Sequence, residues 1–167
     1  METYRVRVTK DYLTFCSAHF IVFHGSQCER LHGHNYRIGA ELEAVLDEDF
    51  LVFDFIALKG ILREISNELD HRLLVPLESS KFSIELGEER VRIAYEDREW
   101  IVPRGVCALL PIENTTAERL AYHVSSRLLE ELERRGMKRL VRMSVEVEES
   151  PGQSAVYTRA FDLPADA

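Results

Sequence analysis

An α+β fold, one antiparallel sheet with two helices on one face, is what the sequence predicts, and three observations carry the prediction. Runs with a two-residue apolar period open and close the chain, two segments with helical apolar spacing stand between them, and no repeat is present. A chain of 167 residues, 46% hydrophobic and 30% charged, suits a single domain over residues 1–167.

Each element has its own warrant. Tyr4 to Phe23 reads as strand with a break around Lys10–Tyr12, and alternation sends Phe15, Ser17, His19, Ile21 and Phe23 to one face. From His34 to Leu46 the chain alternates again. Tyr36, Ile38, Ala40, Leu42 and Ala44 lie on one side, with Arg37, Glu41 and Glu43 on the other, as in a half-buried antiparallel strand. Asp54 predicts the N-cap of a helix that runs through Leu58, Ile61, Leu62, Ile65 and Leu69. About residues 78–110 lies an inserted hairpin region, where "RVRIAYEDREWIVP" sets two β-rich runs around "EDRE". The second helix opens on a capping box of Thr115 and Glu118 and stops at Gly136. "RLVRMSVEVEES" and "QSAVYTRAFDL" close the chain as two strands around the turn formers Pro151 and Gly152.

Charge and cysteine usage narrow the function. A net charge of −8 and a pI near 5.3 argue against a nucleic-acid or anionic-membrane surface, because phosphates are gripped by basic patches. No apolar run approaches the roughly 20 residues of a membrane span. The cysteines Cys16, Cys28 and Cys107 form no paired framework and no apolar signal segment opens the chain, so the expected compartment is the reducing cytoplasm.

Chemistry concentrates in "QCERLHGHNY", Gln27 to Tyr36. His32 and His34 are two apart at a strand start, and His19 stands on the inward face of the preceding strand. Three neutral imidazoles could converge there on tetrahedral Zn2+ and leave a fourth position open, the catalytic pattern. Cys28 reads as a small buried hydrophobe, a fourth ligand, or a thiol made more acidic by a nearby dication. Glu29 is a solvated loop acid or a base beside the ligands. Asp70 and His71 end the first helix, where a histidine also interacts favourably with the helix dipole. In the closing strand only Glu149 shares the phase of Met143, Val145 and Val147, whereas Glu146 and Glu148 share the solvated one. A carboxylate on an apolar face needs a donor, which a ligand could supply. His24 and His123 fall outside this arrangement.

The ordered motifs "FCSAHF", "CERLHGHNY", "VFDF", "ELDHRLL", "NTTAERLA" and "VEVEES", with Tyr157 after them, resemble the 6-pyruvoyltetrahydropterin synthase and 6-carboxytetrahydropterin synthase superfamily over about residues 14–157. The resemblance implies the tunnelling fold, a four-stranded antiparallel sheet with two helices on one face, in protomers joined as a homo-oligomer. A hexamer of two stacked trimers is common there, with active sites at subunit interfaces. It further implies Zn2+ on His19, His32 and His34, Cys28 as catalytic base, and Asp70 and His71 completing the proton-transfer group. Glu149 would anchor the pterin ring and Thr116 would line its pocket.

The implied activity is a zinc-dependent lyase acting on the side chain of 7,8-dihydroneopterin triphosphate. The products would be 6-carboxytetrahydropterin, for deazapurines such as queuosine, or 6-pyruvoyltetrahydropterin. Some longer members use a glutamate where others use the cysteine and release 6-hydroxymethyl-7,8-dihydropterin for folate. This chain has both Cys28 and Glu29, and its insertion resembles that of the longer members. Two competing readings are a non-catalytic module whose zinc is closed by Cys28, and a zinc hydrolase with Glu29 as base.

Overall fold

Alternation at the N-terminus becomes β1 (Tyr4–His19) in the computed structural model, which describes residues 2–162. Two short strands, β2 (Val22–Phe23) and β3 (Gln27–Cys28), form a small hairpin before β4 (His32–Ala44). β1 and β4 pair antiparallel from Tyr4 opposite Ala44 to His19 opposite His32. The register shifts between Thr9 and Thr14, where the sequence predicts a break. Because β1 ends at His19, the expected face does not continue: Phe20 is fully buried, while Ile21 is half-buried and Phe23 exposed. The two-residue period holds only while the strand lasts.

Helix α1 (Phe55–Leu69) starts where expected, with the Asp54 carboxylate accepting from Ala57 N–H at 2.6 Å. Next come β5 (Arg72–Pro76), then β6 (Ser83–Leu86), β7 (Arg90–Tyr95) and β8 (Arg98–Pro103), then β9 (Cys107–Leu110). Helix α2 (Ala117–Arg134) precedes β10 (Leu140–Ser150) and β11 (Gln153–Ala160). Leu163, the last residue of the strand expected from "QSAVYTRAFDL", lies outside the described residues.

The main sheet runs β11-β10-β4-β1-β5-β9. Its first four strands are the expected antiparallel set; β5 adds parallel to β1, and β9 adds parallel to β5 at the edge. Leu73, Leu74 and Val75 of β5 are all buried, and a short apolar run covered on both faces has no alternation to reveal it. The insertion is correspondingly a three-stranded sheet, β6-β7-β8, rather than a lone hairpin. Its β7–β8 turn is the expected one, with Glu96 at φ 52.

One cap moves. Thr116, not Thr115, is the N-cap of α2, accepting from Arg119 N–H at 3.4 Å. Thr115 is buried, and its hydroxyl donates to the Phe20 carbonyl at 3.2 Å. At the other end, Gly136 at φ +79 places its N–H on Glu133 and the next N–H on the Leu132 carbonyl, closing the helix as a Schellman motif.

Both helices cover one face of the sheet. Leu58, Ile61, Leu62 and Ile65 of α1 and Leu120, Val124 and Leu128 of α2 join Tyr36, Ile38, Leu42, Met143, Val145 and Val147 in the core. Each such side chain contributes about 1.5–3 kcal/mol on burial. The opposite face carries ion pairs, among them Arg7–Glu146 at 3.4 Å and Arg37–Glu148 at 2.5 Å.

Candidate active site

The β1–β4 ladder sets the three histidines on the helix-facing side of the sheet, at its end. His19 is paired across the ladder with His32, and Ser17 with His34, so all of them share one face. Gly33, between the two, lies where a Cβ would stand 3.2 Å from the Ser17 carbonyl oxygen, which explains the small residue in H-G-H. The ring centroids are 4.7 Å apart for His19 and His32, 5.2 Å for His19 and His34, and 4.8 Å for His32 and His34. One nitrogen from each ring lies within 4.8 Å of the others.

The donor set fits a metal ion. His19 Nδ1 donates to the Thr115 carbonyl at 2.9 Å and His32 Nδ1 to the Arg30 carbonyl at 2.7 Å, which leaves Nε2 of each ring as a lone-pair donor. His34 Nε2 is buried with no hydrogen-bond partner among the described residues, an orphan that a cation would satisfy. Burial, together with the neighbouring His32 and His34, pulls the pKa of His19 down to about 4 against the effect of the Thr115 carbonyl, so its imidazole is neutral near pH 7. Neutral imidazole is the ligating form. Tyr36, which the sequence singles out only as a core residue, sets its hydroxyl 3.3 Å from His19 Nε2. Its phenol is pushed far up by burial first and then by the Glu149 and Glu29 carboxylates.

Those two carboxylates flank the imidazoles. Glu149 Oε1 is 3.6 Å from His34 Nε2, and Glu29 Oε2 is 3.8 Å from His32 Nε2. The expected phase of Glu149 holds, with Met143, Val145 and Val147 fully buried on its face. A register shift between Glu148 and Ser150 marks a bulge there, at the end of the alternation. Glu149, Thr116, Ile21 and Gln153 line one cleft. Glu148 is instead held by Arg37 and the Gly152 N–H.

Cys28 and Glu29 diverge. The thiol packs against the apolar cluster of the insertion and donates to the Glu29 carbonyl at 3.4 Å. Burial pushes this thiol up, Arg98 pulls it down, and Glu29 and Glu96 oppose Arg98.

Asp70 and His71 form a pair that does not join the histidines within one chain. Asp70 Oδ2 is 2.8 Å from His71 Nδ1, and Oδ1 accepts from Cys16 N–H at 2.7 Å, which holds the Asp70 carboxyl below its usual range. His71 adopts φ +56, a strained conformation fixed by its N–H bond to the Cys16 carbonyl at 2.7 Å. Its side chain, 81% exposed, lines a groove with Cys16, Ser17, Ala18 and Gly33, and of these Cys16, Ala18 and Gly33 alternate with Ser17, His19, His32 and His34 onto the other sheet face. His24 sits in the exposed loop, and His123 is buried in α2.

A family model described as 6-pyruvoyl tetrahydropterin synthase matches residues 7–160. A Methanocaldococcus jannaschii protein with the provisional name 6-carboxy-5,6,7,8-tetrahydropterin synthase is 35% identical over 152 residues, 90% of this chain and 93% of that protein. A Pyrococcus horikoshii protein of the same provisional name is 38% identical over 118 residues, 70% of this chain and 69% of that one. The crystal structure of Plasmodium vivax 6-pyruvoyltetrahydropterin synthase matches with a TM-score of 0.88 and 31% identity, over 96% of this chain and 100% of that one. A form of the same enzyme described as a catalytic residue mutant, glutamate replaced by alanine, matches with a TM-score of 0.89 at 30% identity, over 96% of this chain and 100% of that one.

Proposed function

The chain belongs to the 6-pyruvoyl tetrahydropterin synthase family, an enzyme family of pterin metabolism, and from that premise we propose a zinc-dependent lyase acting on the side chain of 7,8-dihydroneopterin triphosphate. The products in this reading are 6-carboxytetrahydropterin or 6-pyruvoyltetrahydropterin. The observation that carries it is the orphaned His34 Nε2 among three converging imidazoles, two of them oriented by backbone carbonyls. His19, His32 and His34 would hold Zn2+, which when bound polarises the oxygens of the substrate side chain.

The chain's own groups supply the rest. Cys28, once deprotonated to the thiolate, takes a proton from the side-chain carbon and becomes the thiol, and the Asp70–His71 pair moves protons through His71 Nε2, since Nδ1 faces Asp70. The pair lies on the sheet face away from its own histidines, so in this reading it serves the centre of a neighbouring copy. That arrangement requires a homo-oligomer, proposed as a hexamer of two trimers with interface sites. Glu149 accepts hydrogen bonds from the guanidine-like nitrogens of the pterin ring, and Thr116 lines the same cleft.

A second reading rests on Glu29, whose carboxylate and not the Cys28 thiol faces His32. The Plasmodium vivax variant named for a catalytic glutamate supports it. With Glu29 as base at the side-chain hydroxyl, cleavage of the carbon–carbon bond gives 6-hydroxymethyl-7,8-dihydropterin. Mass spectrometry of products after incubation with 7,8-dihydroneopterin triphosphate separates the two. Absence of any pterin product would favour the metal-binding module. No helix among the described residues is long and apolar enough to cross a membrane.

A further inference from the structure

The insertion packs its buried face, Val91, Ile93 and Tyr95 with Phe82, against Phe20 and against Leu73 and Val75 of β5. Trp100 stacks on Phe20 at 4.5 Å between ring centroids, and Phe20 directly follows His19. From this platform two side chains cross to the loop of Cys28 and Glu29. The Tyr95 hydroxyl donates to the Ser26 carbonyl at 2.5 Å, and Arg98 Nη1 donates to the Cys28 carbonyl at 3.0 Å. The guanidinium lies 5.2 Å from the Tyr95 ring centroid and 6.0 Å from that of Trp100, a surface that pre-orients it.

The loop needs such support. Its own structure is a two-residue hairpin, Val22 and Phe23 against Gln27 and Cys28, around His24 at φ 46 and Gly25 at φ 83. An isolated hairpin of that size is marginal in water. The peptide unit joining Cys28 to Glu29 is gripped on both edges: its carbonyl by Arg98, and its N–H by the Ile21 carbonyl at 2.9 Å. A fixed peptide plane sends adjacent side chains opposite ways, here the thiol toward the insertion and the carboxylate toward His32.

We infer that the inserted sheet is a positioning element for the two candidate bases, with Arg98 and Tyr95 as the positioning residues and the Cys28–Glu29 peptide unit as the part they hold. The inference rests on the reading that Cys28 or Glu29 is the base. Neither Arg98 nor Tyr95 is assigned contact with reacting atoms.

The test uses the full chain loaded with zinc and compares Arg98→Met, Arg98→Lys and Tyr95→Phe. Hydrogen–deuterium exchange of residues 24–30 should quicken about tenfold in Arg98→Met, with β1, β4 and β10 unchanged. Its kcat should fall about ten- to a hundredfold, with KM within about twofold and zinc content intact, as expected for a misplaced base. Arg98→Lys, which can still donate to the carbonyl, should recover part of both effects. Tyr95→Phe removes a single hydroxyl and carries the same exchange readout should Arg98→Met not fold. Unchanged exchange, or a loosened loop with unchanged kcat, would overturn the inference. Full turnover in both Cys28→Ala and Glu29→Ala would sink the base assignment instead, and the exchange of residues 24–30 tells that failure apart because it depends on the tether alone.

Discussion

His32 and His34 stand on a strand paired residue by residue with β1, whereas Cys28 and Glu29, shortly before them, stand on a loop shaped by side chains of the insertion. The ladder brings its histidines onto one face through strand register, so any sequence that keeps the register keeps them together. The loop depends on hydrogen bonds to residues 69 and 70 positions away. Metal binding and base placement should therefore fail separately, the first by loss of a ligand and the second by loss of a tether.

The largest expected effect tests that separation. His32→Ala and His34→Ala should each reduce bound zinc from about one per chain to a small fraction and abolish turnover, while Cys28→Ala keeps its metal. Metal analysis of the purified variants decides it. An empty Cys28→Ala would mean that loop and ladder form one four-ligand site.

Next in size is the division between the two bases. Cys28→Ala should lower the carboxy or pyruvoyl product about a hundredfold and spare some hydroxymethyl product, and Glu29→Ala should do the reverse. Product ratios by mass spectrometry read this out. If Glu29→Ala leaves every ratio unchanged, the carboxylate beside His32 is a solvated acid and only Cys28 belongs to the chemistry.

Glu149 and Glu148 repeat the contrast on a single strand. Glu149→Gln should weaken pterin binding by about ten- to a hundredfold, the range for a lost charge-assisted hydrogen bond. Glu148→Gln should change it by less than about threefold, because that carboxylate is engaged by Arg37 and the Gly152 N–H. Titration calorimetry with a pterin distinguishes them, and equal losses would mean that the strand register is misread. A smaller effect concerns Thr116, whose hydroxyl caps α2: Thr116→Ala should cost about 1 kcal/mol in denaturant unfolding.

The smallest concerns His123, a buried histidine that belongs to no cluster. Burial, aided by Arg127 and opposed by Glu68 and Glu130, lowers its folded pKa below the ordinary value. The unfolded chain therefore binds the proton first as pH falls below about 6.5, so stability is present above that pH and declines beneath it. His123→Gln should flatten the decline of the denaturant midpoint below about pH 6.5 relative to the parent chain. An identical slope would show that His123 does not titrate on unfolding.

Much of this was legible before any coordinates. Period-two alternation placed β1, β4, β10 and β11, and because two strands of opposite direction present paired residues on one face, it also brought His19 together with His32 and His34. Phase alone separated Glu149 from Glu148. Local chemistry located the cap at Asp54 and the stop at Gly136. These features are short-range, and a backbone repeat expresses them directly.

Tertiary structure decided the rest. β5 and β9 are too short and too evenly apolar to declare a period; β5 becomes a strand because β1 offers an edge, and β9 because β5 in turn offers one. Thr115 yields the cap to Thr116 because its hydroxyl and carbonyl are needed by Phe20 and His19, residues distant in the chain. The Asp70–His71 pair lands on the opposite sheet face through the left-handed turn at His71. The directions of Cys28 and Glu29 follow from one peptide plane gripped by Arg98 and Ile21. In each case at least one deciding hydrogen bond joins groups far apart in sequence, and no local pattern encodes a partner that only folding brings near.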